Sequence, residues 1–301
     1  MRVASLFACL LLLRISAFAG GTVGFNVKWY STGPWPFNDI VDYPDFESTT
    51  GVVIADFNRD GIPDVAYSYS CCGDGSSGGG VIVKLGTGGG KLGPDVPYKF
   101  GQQNLGELKS ADINGDGWLD IMVPEVLDGP IDVFLNNGDG TFYYAGILGL
   151  GGTYPGSFTL GDFNHDGKID LAEIGCDQPQ AGFLGGASCT LNIGLGDGSG
   201  LHFAQSQSIQ LAGSSYNLQS ADINGDGKLD LAFVRGSVGV ILWGRGDGTF
   251  SGPTYLKPST TDPMDAVAIA DFNNDGRLDL ALLSGNPCRP TPIGELAARE
   301  M

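Results

Sequence analysis

Asp56-Phe57-Asn58-Arg59-Asp60-Gly61-Ile62-Pro63-Asp64 sets carboxylates at its first, fifth and ninth positions, a carboxamide at its third and glycine at its sixth. The same frame returns from Asp112, Asp162, Asp222 and Asp271, five copies in all. A short apolar run follows each: Val65-Ala66-Tyr67, Ile121-Met122-Val123, Leu171-Ala172, Leu231-Ala232-Phe233 and Leu280-Ala281-Leu282. The first aspartates lie 56, 50, 60 and 49 residues apart. A loop at a fixed place before a strand, repeated at that period, marks a stacked or radial repeat architecture.

A second landmark trails the loops. It reads Asn137-Gly138-Asp139-Gly140-Thr141-Phe142 in the second unit and Gly246-Asp247-Gly248-Thr249-Phe250 in the fourth. Gly196-Asp197-Gly198-Ser199-Gly200 is a weaker copy in the third unit, and only Gly86-Thr87-Gly88-Gly89-Gly90 stands in the first. Asp-Gly between β-rich runs predicts a hairpin whose two central residues take positive φ. In the fourth unit this gives strands at 218–221, 229–234, 238–243 and 250–255, with no helical periodicity. Four antiparallel strands per unit, repeated radially, predict an all-β propeller, in which closure protects the sheet edges. A β-helix is excluded because its repeats are much shorter. Five blades are recognisable over residues 45–285; the fifth lacks a second half, since Pro287–Met301 carries no strand pattern. Residues 286–301 read as an irregular tail, and strand character at Thr22–Tyr30, within 20–44, offers a ring-closing strand. A closed five-bladed ring and part of a larger ring both remain open.

Hard oxygens at alternate positions suit calcium, which takes about six to eight of them at about 2.3–2.6 Å. The side-chain donors are Asp56, Asn58, Asp60, Asp64; Asp112, Asn114, Asp116, Asp120; Asp162, Asn164, Asp166, Asp170; Asp222, Asn224, Asp226, Asp230; and Asp271, Asn273, Asp275, Asp279. The seventh position adds a backbone carbonyl, from Ile62, Trp118, Lys168, Lys228 and Arg277. The sixth-position glycines allow the bend. Gly115, Gly225 and Asn274 at the fourth position tolerate positive φ, whereas Arg59 and His165 there imply strain. An EF-hand needs Glu at position twelve, and only Glu173 among Tyr67, Val123, Glu173, Phe233 and Leu282 complies.

With these loops and the Gly-Asp-Gly-Thr-Phe turn, the chain resembles the FG-GAP or VCBS repeats of integrin-α-like N-terminal β-propellers. The resemblance implies a calcium ion in the loop between the first and second strands of each blade. It also implies an extracellular binding or adhesion role for a protein or glycan ligand, in some members as a lectin. Seven blades are usual in the integrin rings.

Residues 1–19 read as a signal peptide: Arg2, an apolar stretch from Leu6 to Leu13, and Ala17-Phe18-Ala19 before Gly20. The run is too short to span a bilayer, so the chain is expected to be secreted or at the cell surface with no membrane span. Net charge is −18, and −20 without Arg2 and Arg14. Fifteen acids lie in the loops, so five divalent ions would bring it to about −10. Acidity of this kind excludes nucleic acid as a partner. Five cysteines remain after cleavage, and Cys176 with Cys189, flanking one loop, are the expected disulfide; Cys71, Cys72 and Cys288 are left unassigned.

Catalytic patterns are thin. There is no Gly-x-Ser-x-Gly elbow, Cys–His pairing or zinc spacing. His165 and His202 read as solvent-facing loop residues, and the aspartate pairs that would suit a glycosidase are committed to the loops. The chain is therefore expected not to be an enzyme, though a non-catalytic domain of a larger secreted enzyme is a further reading. Arg245-Gly246-Asp247 reads as part of the turn rather than as an adhesion tripeptide, and Gly73–Gly80 as a surface loop. Trp29, Tyr30, Trp35 and Phe37 read as a cap or a sugar-stacking cluster.

Overall fold

In every unit the ninth residue of the frame is also the first residue of a strand: Asp64, Asp120, Asp170, Asp230 and Asp279. The computed structural model describes residues 13–17, 23–27, 46–71, 79–99, 105–125, 130–150, 155–176, 188–213, 215–258 and 263–284. Cys72, Cys288, the aromatic cluster from Trp29 to Phe37, most of Gly73–Gly80 and the tail 286–301 lie outside the described residues.

The chain divides into two compact units, Met1–Pro44 and Asp45–Met301. In the first, β1 (Leu13–Ala17) pairs antiparallel with β2 (Val23–Val27). The strand foreseen at Thr22–Tyr30 is thus β2, and its partner is β1.

The second unit is a series of antiparallel meanders. The first runs through β3 (Phe46–Ala55), β4 (Asp64–Cys71) and β5 (Gly80–Lys84), then a small hairpin of β6 (Gly86–Gly88) and β7 (Lys91–Leu92), then β8 (Val96–Lys99). The second is β9 (Lys109–Ala111), β10 (Asp120–Pro124), β11 (Ile131–Asn136) and β12 (Phe142–Leu148). The third is β13 (Pro155–Gly161), β14 (Asp170–Cys176), β15 (Ser188–Gly196) and β16 (Phe203–Ala212). The fourth is β17 (Ser215–Ala221), β18 (Asp230–Arg235), β19 (Val238–Leu242) and β20 (Thr254–Leu256). β21 (Met264–Ala270) and β22 (Asp279–Ser284) end the described series.

This is an all-β propeller with four four-stranded blades and, among the described residues, no helix. A fifth full blade is not formed by them: the last sheet has two strands. The sequence reason is visible, since no hairpin turn or β-rich run follows β22.

Middle strands are buried on both faces, as their largely apolar runs require, and the polar residues among them, Asp132, Asn136, Glu173 and Asn192, are buried with them. Every residue of β10 and β11 is buried, whereas β12 and β16 at the rim are mostly exposed or half-buried. Four apolar clusters hold the blades together, one at each seam between consecutive sheets. At the first seam Phe57 meets Phe142 edge-on at 5.3 Å, and at the third Phe163 meets Phe250 at 5.5 Å. Removing one such ring costs about 3–5 kcal/mol. Cys176 and Cys189, opposed across β14 and β15, are disulfide-bonded.

The Gly-Asp-Gly turns are not the two-residue hairpins foreseen. Gly138 and Gly140 take φ of 91° and 80°, but Asp139 between them does not. Its Oδ1 instead accepts from the Thr141 amide at 2.9 Å and hydroxyl at 2.6 Å, and Asn137 N closes the turn on Thr141 O. These bonds, the hydroxyl's first, hold the Asp139 carboxyl below its ordinary pKa range. Arg245-Gly246-Asp247 forms the same turn, with Arg245 N donating to Thr249 O.

Candidate metal loops

Each loop is wound by a fixed set of backbone-to-carboxylate bonds. In the first, Asp56 Oδ1 accepts from Asp60 N at 3.1 Å and Oδ2 from Gly61 N at 2.9 Å. Asn58 Oδ1 also accepts from Asp60 N, and Asp60 Oδ1 accepts from Ile62 N at 2.8 Å. The ninth-position Asp64 is fully buried and ties the loop to the sheet. Its Oδ2 takes Phe57 N at 2.8 Å and its Oδ1 takes Gly86 N, from the chain just after β5, at 2.7 Å. Asp120 receives Ile113 N and Asn136 N, Asp170 receives Phe163 N and Gly196 N, and Asp230 receives Ile223 N and Gly244 N. In the last loop Asp279 takes Phe272 N at 3.0 Å.

The fourth position has positive φ throughout: 57° at Arg59, 71° at Gly115, 61° at His165, 74° at Gly225 and 61° at Asn274. It leaves the first-position carboxylate accepting the sixth-position amide in every copy, and the fifth-position amide in all but the second. The first, third and fifth side chains of a copy therefore accept amides within one turn, while the ninth, opening the next strand, accepts the amide of the second residue. The seventh residues Ile62, Trp118, Lys168, Lys228 and Arg277 each give their amide to the fifth-position carboxylate.

Among the described residues no three His, Cys, Asp or Glu side chains converge as a ready-made metal cage. The carboxylates are turned onto amides. The donor set still fits a hard cation, because a carboxylate oxygen that accepts one N–H keeps a second lone pair. The second loop goes further: Asp112 Oδ1 is buried and has no hydrogen-bond partner among the described residues. In the fourth loop Lys228 Nζ stands 3.6 Å from Asp226 Oδ2, an exposed pair of small worth.

Burial pushes the Asp120 carboxyl up to about 7 against the amides of Asn136 and Ile113, with Asp116 and Asp112 adding to the rise. Burial also raises Asp170 and Asp230. A carboxyl raised on folding favours the protonated fold, so these groups contribute most below their unfolded values and less as pH rises through the folded ones.

Two contacts were not legible in the loops. Arg59 stacks its guanidinium 4.6 Å from the Trp118 ring of the second loop. His165, exposed as foreseen, also bonds the fourth unit, with Nε2 3.0 Å from Gly227 O and Nδ1 3.5 Å from Gly246 O. The only sequence signal for either was a bulky residue where its counterparts are glycine or asparagine.

A buried acid pair at the far end of the second blade was also missed. Asp132 is raised by burial first and then by Glu125 beside it, while the Tyr144 hydroxyl donates to its Oδ1 at 3.0 Å. Its folded value exceeds its unfolded one, so its stabilisation is complete below about pH 4 and is lost as pH rises beyond. Asp132→Asn should flatten that decline; melting temperatures of both proteins across a pH series check it.

Where Asp230 receives Gly244 N, the backbones approach so closely that a Cβ on Gly244 would run into the Leu229 carbonyl. In the second blade the equivalent residue is Asn136, whose Nδ2 donates to Leu119 O at 3.0 Å. Gly244→Ala should destabilise by about 1–3 kcal/mol. Gly252→Ala, with open space around it, should stay within about 0.5 kcal/mol. Paired thermal melts decide.

Three solved structures resemble this chain in part. An Agrocybe aegerita lectin, described as specifically recognising non-reducing terminal N-acetylglucosamine, has a TM-score of 0.48 at 19% identity, covering 79% of this chain and 75% of that one. The Tc holotoxin pore of Photorhabdus luminescens gives 0.43 at 17%, over 91% of this chain and 12% of that one. The major Malassezia sympodialis allergen Mala s 1 gives 0.49 at 11%, over 78% and 72%. At such scores they say nothing of a ligand. No curated protein matches the chain. The FG-GAP-like repeat matches twice, at residues 112–172 and 222–282, and the two matches take in four of the five loops. The chain thus carries FG-GAP-like repeats, over residues 112–172 and 222–282, within a series of sheets of β-propeller type.

Proposed function

We propose that the chain is an exported, calcium-stabilised propeller that serves as an extracellular binding module for a protein or a glycan, and not as an enzyme. One observation carries the metal reading: an unbroken set of three carboxylates and one carboxamide, five times over, in the same left-handed turn. The orphaned Asp112 Oδ1 supports it, because a buried carboxylate oxygen without a donor is costly unless a cation faces it. The cation supplies positive charge that offsets three clustered carboxylates. The first-, third-, fifth- and ninth-position side chains would hold it, with the seventh-position carbonyl. Binding free energy would then become folding free energy. Export rests on the leader-like start, and the described residues contain no helix long and apolar enough to cross a membrane.

The ligand reading rests on the family resemblance and on exposed tyrosines at blade rims, Tyr143 on β12 and Tyr255 on β20, the latter with Arg235 stacked 4.9 Å from its ring centre. Calorimetric titration of chelator-stripped protein with calcium, with elemental analysis, is expected to find up to five ions per chain. No bound calcium at millimolar supply would remove the proposal. A glycan array and an extracellular-protein array, both probed with calcium, separate the two ligand classes.

A further inference from the structure

Every interior seam of the array is built from the same two pieces. The residue four before each loop, on the first strand of a sheet or, for Leu108, just before it, enters the preceding sheet's cluster. The second residue of each loop enters the following one. Leu108, Phe158, Leu218 and Val267 fill the first role and are at most 4% exposed. Phe57, Ile113, Phe163 and Ile223 fill the second and are at most 7% exposed.

The two outermost copies break this rule in opposite senses. Val52, four before the first loop, is 44% exposed, and Phe272, second in the last loop, is 46% exposed. Ile54 extends the first face and Leu283 the second, and both are exposed. No apolar cluster of described residues joins the fifth sheet to the first. One end of the array therefore shows the half-seam that expects a predecessor. The other end shows the half that expects a successor.

We propose that these faces receive each other across two copies of the chain, Phe272 and Leu283 of one against Val52 and Ile54 of the next. The occupant is a second copy because the two halves are the complementary pieces of a seam this sequence already makes four times. A single chain carries one of each. Such a head-to-tail contact is heterologous: it ends in a closed assembly if the rotation permits, and otherwise grows. It does not depend on whether the loops hold calcium.

The test is sedentation-type mass measurement of the full chain across a dilution series, by analytical ultracentrifugation. The wild type is expected above the 31.3 kDa of one chain and to fall towards it on dilution. Val52→Arg and Phe272→Arg each block one face and should each run as single chains. Mixed, they retain one good face apiece and should form a species of two chains and no larger. A wild type that stays single at every concentration, a blocked variant that still associates, or a mixture that fails to pair would overturn the proposal. If circular dichroism shows either variant unfolded, Ile54→Arg and Leu283→Arg repeat the same experiment on the same faces.

Discussion

Saturating calcium should raise the melting temperature of the chelator-stripped protein by up to about 20 °C. An ion at a hundred times its dissociation constant adds about 2.7 kcal/mol per site, and five loops are available. For a propeller of this size an unfolding entropy of about 0.6 kcal/mol/K converts the full effect to that shift. The gain should scale with the logarithm of free calcium, and removing one loop should remove about one fifth of it. Asp112→Ala, in the loop with the orphaned oxygen, is the loop to remove first. A melt that does not move between excess chelator and millimolar calcium would end the metal reading.

Asp170→Ala should be among the most damaging single substitutions in the loops, with its equivalents Asp64, Asp120 and Asp230, and should be so even in chelator. The side chain is fully buried and takes two backbone amides, Phe163 N at 2.8 Å and Gly196 N at 2.9 Å. Alanine leaves both donors without an acceptor, at about 1–3 kcal/mol each. A loss of about 4 kcal/mol corresponds to a fall of about 7 °C. Asp170→Asn keeps one acceptor and should fall between. Asp279→Ala provides the contrast: its loop is exposed and Phe272 N is the amide it holds, so the loss should be under about 1.5 kcal/mol. Melts in chelator read the hydrogen bonds alone, and the further loss in calcium reads the ion. Equal losses at Asp170 and Asp279 in chelator would refute the anchoring role of the ninth position.

The sequence was most transparent where the physics is local. A carboxylate every fourth position with glycine at the bend can satisfy its own turn, so the loop and the strand after it announce themselves within nine residues. The fourth blade's strands fall within a few residues of those expected, because β18 and β19 read as continuous apolar runs between turn residues. What depended on a neighbouring blade was not legible. The reach of Arg59 to Trp118 and of His165 to Gly227 joins residues about sixty apart, and no pattern within either loop encodes it. The burial of Asp132 beside Glu125 likewise depends on how β10 and β11 are covered. The Asp139 turn was misjudged because the Asp-Gly pair resembles a two-residue hairpin until Thr141 supplies a competing donor pair.

Those long side chains have a mechanical corollary. Arg59 spans the first seam and His165 the third, where Asn136 to Phe57 O and Gln207 to Phe250 add further polar ties. At the second seam the same loop position holds Gly115, which has no side chain to extend; at the fourth it holds Gly225, but Asn217 Oδ1 accepts from Val267 N and Gly236 O from Met264 N, each at 2.7 Å. The second seam is therefore the joint without such a reach, set between the couple of blades one and two and the series from blade three onward. Under tension or heat the protein should yield first along that second joint, like a rule hinged once near its middle.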